Sequence, residues 1–258
     1  MAKLSMDSQD KSKERQFYEK MFSNLVGLED GGCLTYGYDE IYNATVDTIA
    51  PGSILDVGCG AGKHSVNLAK RGFNVIAIDL TLAGLKAARK WAQENGVRVH
   101  FVQGDVENLP FRDGTFDSSF CSLLLHHFIK QDELVQEISR VTTTCIFAID
   151  PNGFEPATFF KFNLWNRFLG HRAMTPSQRA LFPRRIGRMF AAYGFSSQRV
   201  RWLNLYSIRS KSGLKWKLVA TYQNLARLLP LQFRCNKFAL CCKRNTTCEN
   251  RHARRPAK

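Results

Sequence analysis

The sequence predicts an α/β fold: a doubly wound, mostly parallel sheet with a cap insert and a C-terminal α/β extension. Three observations carry that expectation. From Ser53 onward, short β-branched runs alternate with helical stretches, the pattern of successive βαβ units. The first run feeds directly into a glycine-rich loop and then a helix. The chain's 258 residues suffice for one such domain plus an addition.

Each element has a local reason. Residues 1–15 are polar and charged and read as a flexible arm, before a helix around Gln16 to Val26 and a glycine-containing loop. Ser53 to Val57 is the first strand. Lys63 to Arg71 is helical and stopped by Gly72, a residue that tolerates the left-handed turn at a helix end. Phe73 to Asp79 is the second strand. Thr81 can cap a helix whose Leu82, Leu85, Ala88 and Ala92 share a face, and Gly96 ends it. Val97 to Gln103 and Thr115 to Leu123 are the third and fourth strands. Gln131 to Val141 is a helix with Leu134, Val135 and Ile138 inward, and Cys145 to Asp150 is the fifth strand.

After Asp150 the pattern loosens. Residues 155–182 are aromatic and basic without strand alternation. Arg184 to Tyr193 reads as a helix closed by Gly194, Arg199 to Tyr206 as a strand, Ser210 to Leu229 as a helix and Lys237 to Lys243 as a last strand. The polar, basic tail 245–258 is expected to be disordered.

Composition excludes several classes. An apolar share of 44% and a charged share of 23% are ordinary for a globular protein, and rule out wholesale disorder, collagen and a small disulfide scaffold. The net charge of +15 is unevenly spread. Residues 1–150 hold 15 Lys and Arg against 20 Asp and Glu, whereas residues 151–258 hold 22 against only Glu155 and Glu249. A basic half attracts nucleic acid, anionic lipid or anionic small molecules, or simply presents a solvated surface. The N-terminus has no apolar core of a signal peptide, and the uncharged run Ser118 to Ile129 is too short to span a bilayer. Cys33, Cys59, Cys121 and Cys145 lie in or beside apolar runs and read as reduced thiols, so a cytoplasmic location is expected.

Two C-terminal features bear on metal and membrane binding. Cys235, Cys241, Cys242, Cys248 and His252 lack the paired spacing of a zinc site, and Cys241 and Cys242 point to opposite faces of a strand, so no metal is expected. Within 211–229, Leu214, Leu218, Tyr222, Leu225 and Leu229 form one apolar stripe, with Lys211, Lys215, Gln223 and Arg227 off it. Such a helix packs on the protein's own sheet or makes contact with a membrane surface, peripheral to the bilayer.

The segment Ile54 to Gly62, ILDVGCGAG, is the most informative. Its glycines permit tight turns and close ligand approach, and the following helix offers unpaired N–H groups. A P-loop would need glycine at Val57 and a hydroxyl residue at His64. A dinucleotide fingerprint would need glycine at Lys63. What remains is acid-x-Gly-x-Gly-x-Gly, as Asp56 to Gly62 reads. Three further stations follow in order: VIAIDL, containing Asp79; GDVENLPF, Gly104 to Phe111; and FDSSFCSLLLHHF, Phe116 to Phe128. On these the chain resembles a class I S-adenosylmethionine-dependent methyltransferase of the small-molecule type, with a Rossmann-like sheet. Val141-Thr-Thr-Thr144 stands where that family usually has a Pro-Gly-Gly-like turn.

The resemblance implies roles. Gly58, Cys59 and Gly60 would lie against the methionine end of the cofactor, with Asp56 near its ammonium group. Asp79 would accept bonds from both ribose hydroxyls, and Asp105 from the adenine amino group, with Val106 beside the ring. Leu80 and Cys121 would pack near the adenosine. His126 and His127 after the fourth strand, and Asp150 at the end of the fifth, are the catalytic candidates, with a His able to act as a base near pH 7. In an open α/β sheet Asn152 would also face the substrate side, and the cap aromatics Phe159, Phe160, Phe162, Trp165 and Phe168 line an apolar acceptor pocket or simply bury the cap. The sequence Asp150 to Gly153 lacks the second proline and aromatic residue of amino-directed nucleic-acid methyltransferases. The chain then divides into an arm (1–15), a cofactor-binding core (16–154), an acceptor-binding cap completing the sheet (155–244) and a tail (245–258). The leading function is methyl transfer to a small, partly apolar acceptor, anionic or lipid-like. The alternatives are an RNA methyltransferase using the basic half and a non-catalytic S-adenosylmethionine-binding partner subunit.

Overall fold

Strand order reverses beside β1, and that reversal positions everything else. The computed structural model describes residues 8–23, 38–165, 178–203, 221 and 228–245. Strands β1 (Ser53–Val57), β2 (Asn74–Asp79), β3 (His100–Gln103), β4 (Phe116–Ser122) and β5 (Thr142–Pro151) pair in parallel. Strands β6 (Phe195–Leu203) and β7 (Lys237–Arg244) complete a seven-stranded sheet in the order β3-β2-β1-β4-β5-β7-β6, β7 antiparallel to both neighbours. The chain runs outward from β1 to β3, then crosses back to place β4 on the other side of β1. Open α/β sheets bind ligands at such a switch, outside the carboxyl ends of the strands.

The pleat divides the core into two layers. Leu55, Val57, Ile146, Ala148, Leu240 and Cys242 face one side, with Leu134 and Ile138 of helix α5 (Asp132–Val141) and Ile186 and Phe190 of helix α7 (Pro183–Ala191). Ile54, Phe120, Phe147, Ile149, Ala239 and Cys241 face the other, with Ile41 and Tyr42 of α2 (Tyr38–Ala44) and Leu68 of α3 (Lys63–Lys70). Cys241 and Cys242 therefore do point to opposite faces, as strand alternation requires.

Helix ends follow the sequence signals closely. Gly72, Gly96 and Gly194 adopt φ of +85°, +65° and +85° after α3, α4 (Leu82–Glu94) and α7. The missing Pro-Gly-Gly-like turn is replaced by direct passage from α5 into β5. There the Thr142 hydroxyl donates to Ile138 O, and Arg244 donates to the carbonyls of Ser139, Thr142 and Thr143, satisfying the helix's free acceptors.

Several expectations change. Residues 8–15 are not a flexible arm: helix α1 spans Ser8–Ser23. Its inner face carries polar residues that meet a cavity rim, so apolar periodicity did not reveal it. Thr81 occupies the first cap position of α4 without bonding its free N–H groups; Glu19 of α1 accepts from Ala83 N instead, at 3.0 Å. Strand β6 begins at Phe195 rather than Arg199, its Ser196 and Ser197 pairing with β7 on a half-solvated edge. The cap holds a short helix α6 (Pro156–Phe159), capped by Glu155 and continued by a π-helical turn, Phe160–Trp165. Most of the expected helix 210–229, the tail beyond 245, and Cys33, Phe168, Cys248 and His252 lie outside the described residues.

Gly62 joins the loop to α3 at φ +76°, where a Cβ would lie 2.5 Å from Ala88 Cβ and 2.9 Å from Ala88 Cα on α4. Gly62→Ala is expected to destabilise the fold by about 2–4 kcal/mol, from left-handed strain plus overpacking. Gly96→Ala, at φ +65° with nothing within 4 Å, should cost only the strain, about 1–2 kcal/mol. Urea denaturation of both variants checks the difference; equal losses would refute the packing component.

Candidate active site

A cavity of about 610 Å³ opens at the carboxyl ends of β1, β2 and β4. Its floor is the glycine loop, where Gly58 and Gly60 adopt φ of +70° and +52°. Gly58 N and Cys59 N both donate to Ile78 O, at 2.9 and 3.0 Å, tying the loop to β2. Asp79, at the end of β2, fixes it further. One carboxylate oxygen accepts from Gly60 N at 2.8 Å, and the other accepts from Thr81 N and Thr81 Oγ1 at 2.9 and 2.6 Å. Below the loop, buried Asp56 accepts from Ser65 Oγ at 2.6 Å. Burial pushes its carboxyl up to about 7 against that hydrogen bond, and the charge of Asp79 adds to the rise. Cys59 lines the cavity, and its thiol is pushed well up by burial, then by Asp56 and Asp79, so it stays protonated.

Leu80, Asp105 and Val106 line the neighbouring wall. Asp105 accepts from Lys11 Nζ at 2.8 Å and from Glu107 N at 3.0 Å, and Lys11 also pairs with Glu107. Cys121 does not line the cavity. Its side chain lies in the core layer with Leu55 and Val57, and its Sγ donates to Phe147 O at 3.4 Å. The pleat of β4 turns that position away from the ligand space.

Helix α1 closes one side. Lys11, Glu14, Tyr18 and Phe22 line the cavity from successive turns. Glu14 Oε1 lies 2.8 Å from His127 Nδ1, and Gln178 Nε2 donates to Tyr18 Oη at 2.8 Å. Phe22 stands over the loop, 2.9 Å from where a Gly60 Cβ would be. None of these residues was singled out from sequence; their spacing of three and four was the available signal.

Beyond the loop, Leu123, immediately after β4, holds a left-handed φ of +56°, a conformation costing about 1–2 kcal/mol. That turn swings the 3-10 turn Leu125–His127 into the cavity. His126 Nδ1 lies 2.8 Å from Asp150 Oδ1, which also accepts from His126 N at 3.2 Å. Asp150 sits behind His126, fully buried, and its Oδ2 has no hydrogen-bond partner among the described residues. Burial, with the charges of His127 and Lys237, holds His126 well below 6.5, so its ring is neutral. Burial also raises Asp150, to about 8.

The far end is formed by Pro151, Lys161, Phe162, Gln178 and Lys237. Of the expected aromatic lining, Phe162 reaches the cavity, whereas Phe159, Phe160 and Trp165 are exposed. Asn152 does not face the acceptor space: its amide donates to Gln232 O and Cys235 O at 2.7 Å each, clamping β5 to the segment before β7. Lys161 and Lys237 were missed, because nothing local marks a lysine in a basic half as inward-facing.

The residues present fit a nucleoside-bearing ligand. Two carboxylates stand at the strand ends, apolar Leu80, Val106 and Phe128 lie between them, and the glycines leave room where any side chain would intrude.

Residues 55–144 match the model of a methyltransferase domain family. The ubiquinone biosynthesis O-methyltransferase of Rickettsia felis is 36% identical over 100 residues, 39% of this chain and 38% of that protein. The uncharacterized methyltransferase YcgJ of Bacillus subtilis is 37% identical over 98 residues, 38% and 39% of the two chains. The matched region thus spans about two fifths of these curated relatives. Among solved structures, that of YcgJ aligns with a TM-score of 0.59 at 23% identity, over 81% of this chain and 99% of that one. The magnesium protoporphyrin IX methyltransferase of Synechocystis, solved with bound SAH, aligns with a TM-score of 0.55 at 17% identity, over 95% and 90%. At these identities the structural likeness establishes the shared fold.

Proposed function

We propose that this chain, which carries a class I S-adenosylmethionine-dependent methyltransferase domain, transfers a methyl group to a small, partly apolar acceptor. One observation carries the reading. A single cavity joins the glycine loop and Asp79 at one end to His126, backed by Asp150, and the cap residue Phe162 at the other. A cofactor cradle and an acceptor chamber thereby share one cavity.

S-adenosylmethionine, when bound, supplies a methyl group made electrophilic by its sulfonium. The chain's own residues hold, orient and shield. Gly58 and Gly60 keep the floor free of side chains on either side of Cys59, and Asp56 lies beneath it, where a bound ammonium group would favour its ionised form. Asp79 and Asp105 offer acceptors for ribose and adenine, with Leu80 and Val106 as apolar walls. Helix α1 and Phe162 exclude water, so that an acceptor is held in line rather than solvated. Neutral His126, its Nδ1 engaged by Asp150, keeps its other nitrogen able to take a proton from an acceptor hydroxyl. His127, held by Glu14 of α1, is better placed to anchor that helix.

Among the described residues no helix is long and apolar enough to cross a membrane. The test is incubation with methyl-labelled cofactor and fractionated cell extract. Label is expected in a small-molecule fraction. Label in RNA or protein alone would overturn the acceptor class, and cofactor binding with no transfer to any fraction would overturn the activity.

A further inference from the structure

Two lysines at the far end of the cavity are unaccounted for by cofactor binding. Lys161 comes from the π-helical turn of the cap and Lys237 from the first position of β7, opposite Pro151 of β5. Both line the cavity, and each Nζ lies 5.7 Å from the centre of the Phe162 ring. Neither has a carboxylate within 4 Å among the described residues. The acids that face Lys237 are Asp150 and Glu155. Asp150 is bonded to the backbone and ring of His126, and Glu155 accepts from Ala157 N and Thr158 N at the start of α6. Two ammonium groups thus share one ring, Lys237 half-buried and Lys161 at the exposed rim, with no carboxylate paired to either among the described residues. Burial lowers both below the ordinary lysine value, and the neighbouring Lys161 lowers Lys237 further, to about 8. An anion seated between them would relieve desolvation and mutual repulsion together.

We propose that Lys161 and Lys237 form an anion-binding subsite that takes the carboxylate or phosphate of an acceptor whose apolar body lies along Phe162. The proposal rests on the methyltransferase reading for calling that ligand an acceptor. The His126 ring meets Phe162 edge-on at 5.6 Å, so a molecule anchored by the lysines extends toward the residue proposed to take its proton. The subsite would reject neutral analogues of the same shape, because they leave the two cations unpaired.

The test is calorimetric titration of the full chain with octanoate, octyl phosphate and octanamide, with and without saturating S-adenosylhomocysteine. Both anions, or one of them, should bind at least about tenfold more tightly than octanamide. The tighter of the two identifies the headgroup. Lys161→Gln and Lys237→Gln should each lose about tenfold in anion affinity, while S-adenosylhomocysteine affinity stays unchanged as evidence of folding. Lys237→Arg should retain binding. As pH rises through about 8, Lys237 loses its charge while the facing Asp150, itself raised to about 8, gains one, so anion affinity should fall steeply in the wild type and less in Lys237→Arg, which keeps the cation. Equal binding of octanoate, octyl phosphate and octanamide, or anion affinity unchanged in both glutamine variants, overturns the subsite. Failure of the wild type to bind S-adenosylhomocysteine instead overturns the methyltransferase reading, and the anion preference measured without it still decides the subsite.

Discussion

Asp79→Ala is expected to lower affinity for S-adenosylhomocysteine by roughly 10- to 100-fold, about 1.5–3 kcal/mol, the range for hydrogen bonds to a charged group. The loss has two sources. The carboxylate is the proposed acceptor for ribose hydroxyls, and it already organises the site by accepting from Gly60 N, Thr81 N and Thr81 Oγ1. Removing it leaves Gly60 N without that acceptor, so the loop that must approach the ligand is loosened as well. Asp79→Asn separates the two effects. Its single oxygen can serve Gly60 or Thr81 but not both, and its amide sets a donor against a donor on the other side. Affinity should therefore fall in Asn almost as far as in Ala, although side-chain volume is preserved. Thr81→Val removes one hydroxyl donor and should cost about 1 kcal/mol or less. Calorimetry on folded variants measures all three, and unchanged affinity in Asp79→Ala would remove Asp79 from the site.

What was legible in the sequence was whatever is decided locally. A β-branched run entering a glycine loop, or a glycine closing a helix, depends on neighbours a few residues away, so β1 to β5 and the loop emerged from pattern and spacing, whereas Asp79 was pointed to by the family resemblance. What was missed depends on distant partners. Lys11 meets Asp105, 94 positions on, and Glu14 meets His127, 113 positions on. A helix whose inner face is Lys, Glu, Tyr and Phe has no apolar stripe, so its first half, Ser8 to Arg15, read as an arm and only the part from Gln16 as helix. Cys121 failed for a different reason: position along β4 was right, but the pleat decides direction, and its side chain joins the core. Asn152 stands at a strand end, where ligand-facing residues gather, yet its amide satisfies two backbone carbonyls.

Removal of the His126 side chain should have the largest effect on turnover. If the acceptor presents a hydroxyl, His126→Ala should lower kcat by roughly 10²- to 10⁴-fold, the usual contribution of a positioned base, with little change in S-adenosylhomocysteine affinity. The pair it forms with Asp150 explains why a weakly basic, buried imidazole can serve. Asp150 Oδ1 receives both the backbone N–H and the Nδ1 of the same residue, which fixes the ring's orientation and directs the free nitrogen's lone pair away from Asp150. Asp150 acts only through His126, so Asp150→Asn should cost less than His126→Ala while preserving the fold. The pH profile distinguishes orientation from mere packing. His126 is active when deprotonated, and burial holds it well below 6.5, so kcat should be flat from pH 6.5 upward and decline only at more acidic pH. Steady-state kinetics on the acceptor identified by labelling provides the measurement. A kcat insensitive to His126→Ala would mean that proximity and in-line orientation alone carry the reaction, and that the pair serves only to shape the cavity wall.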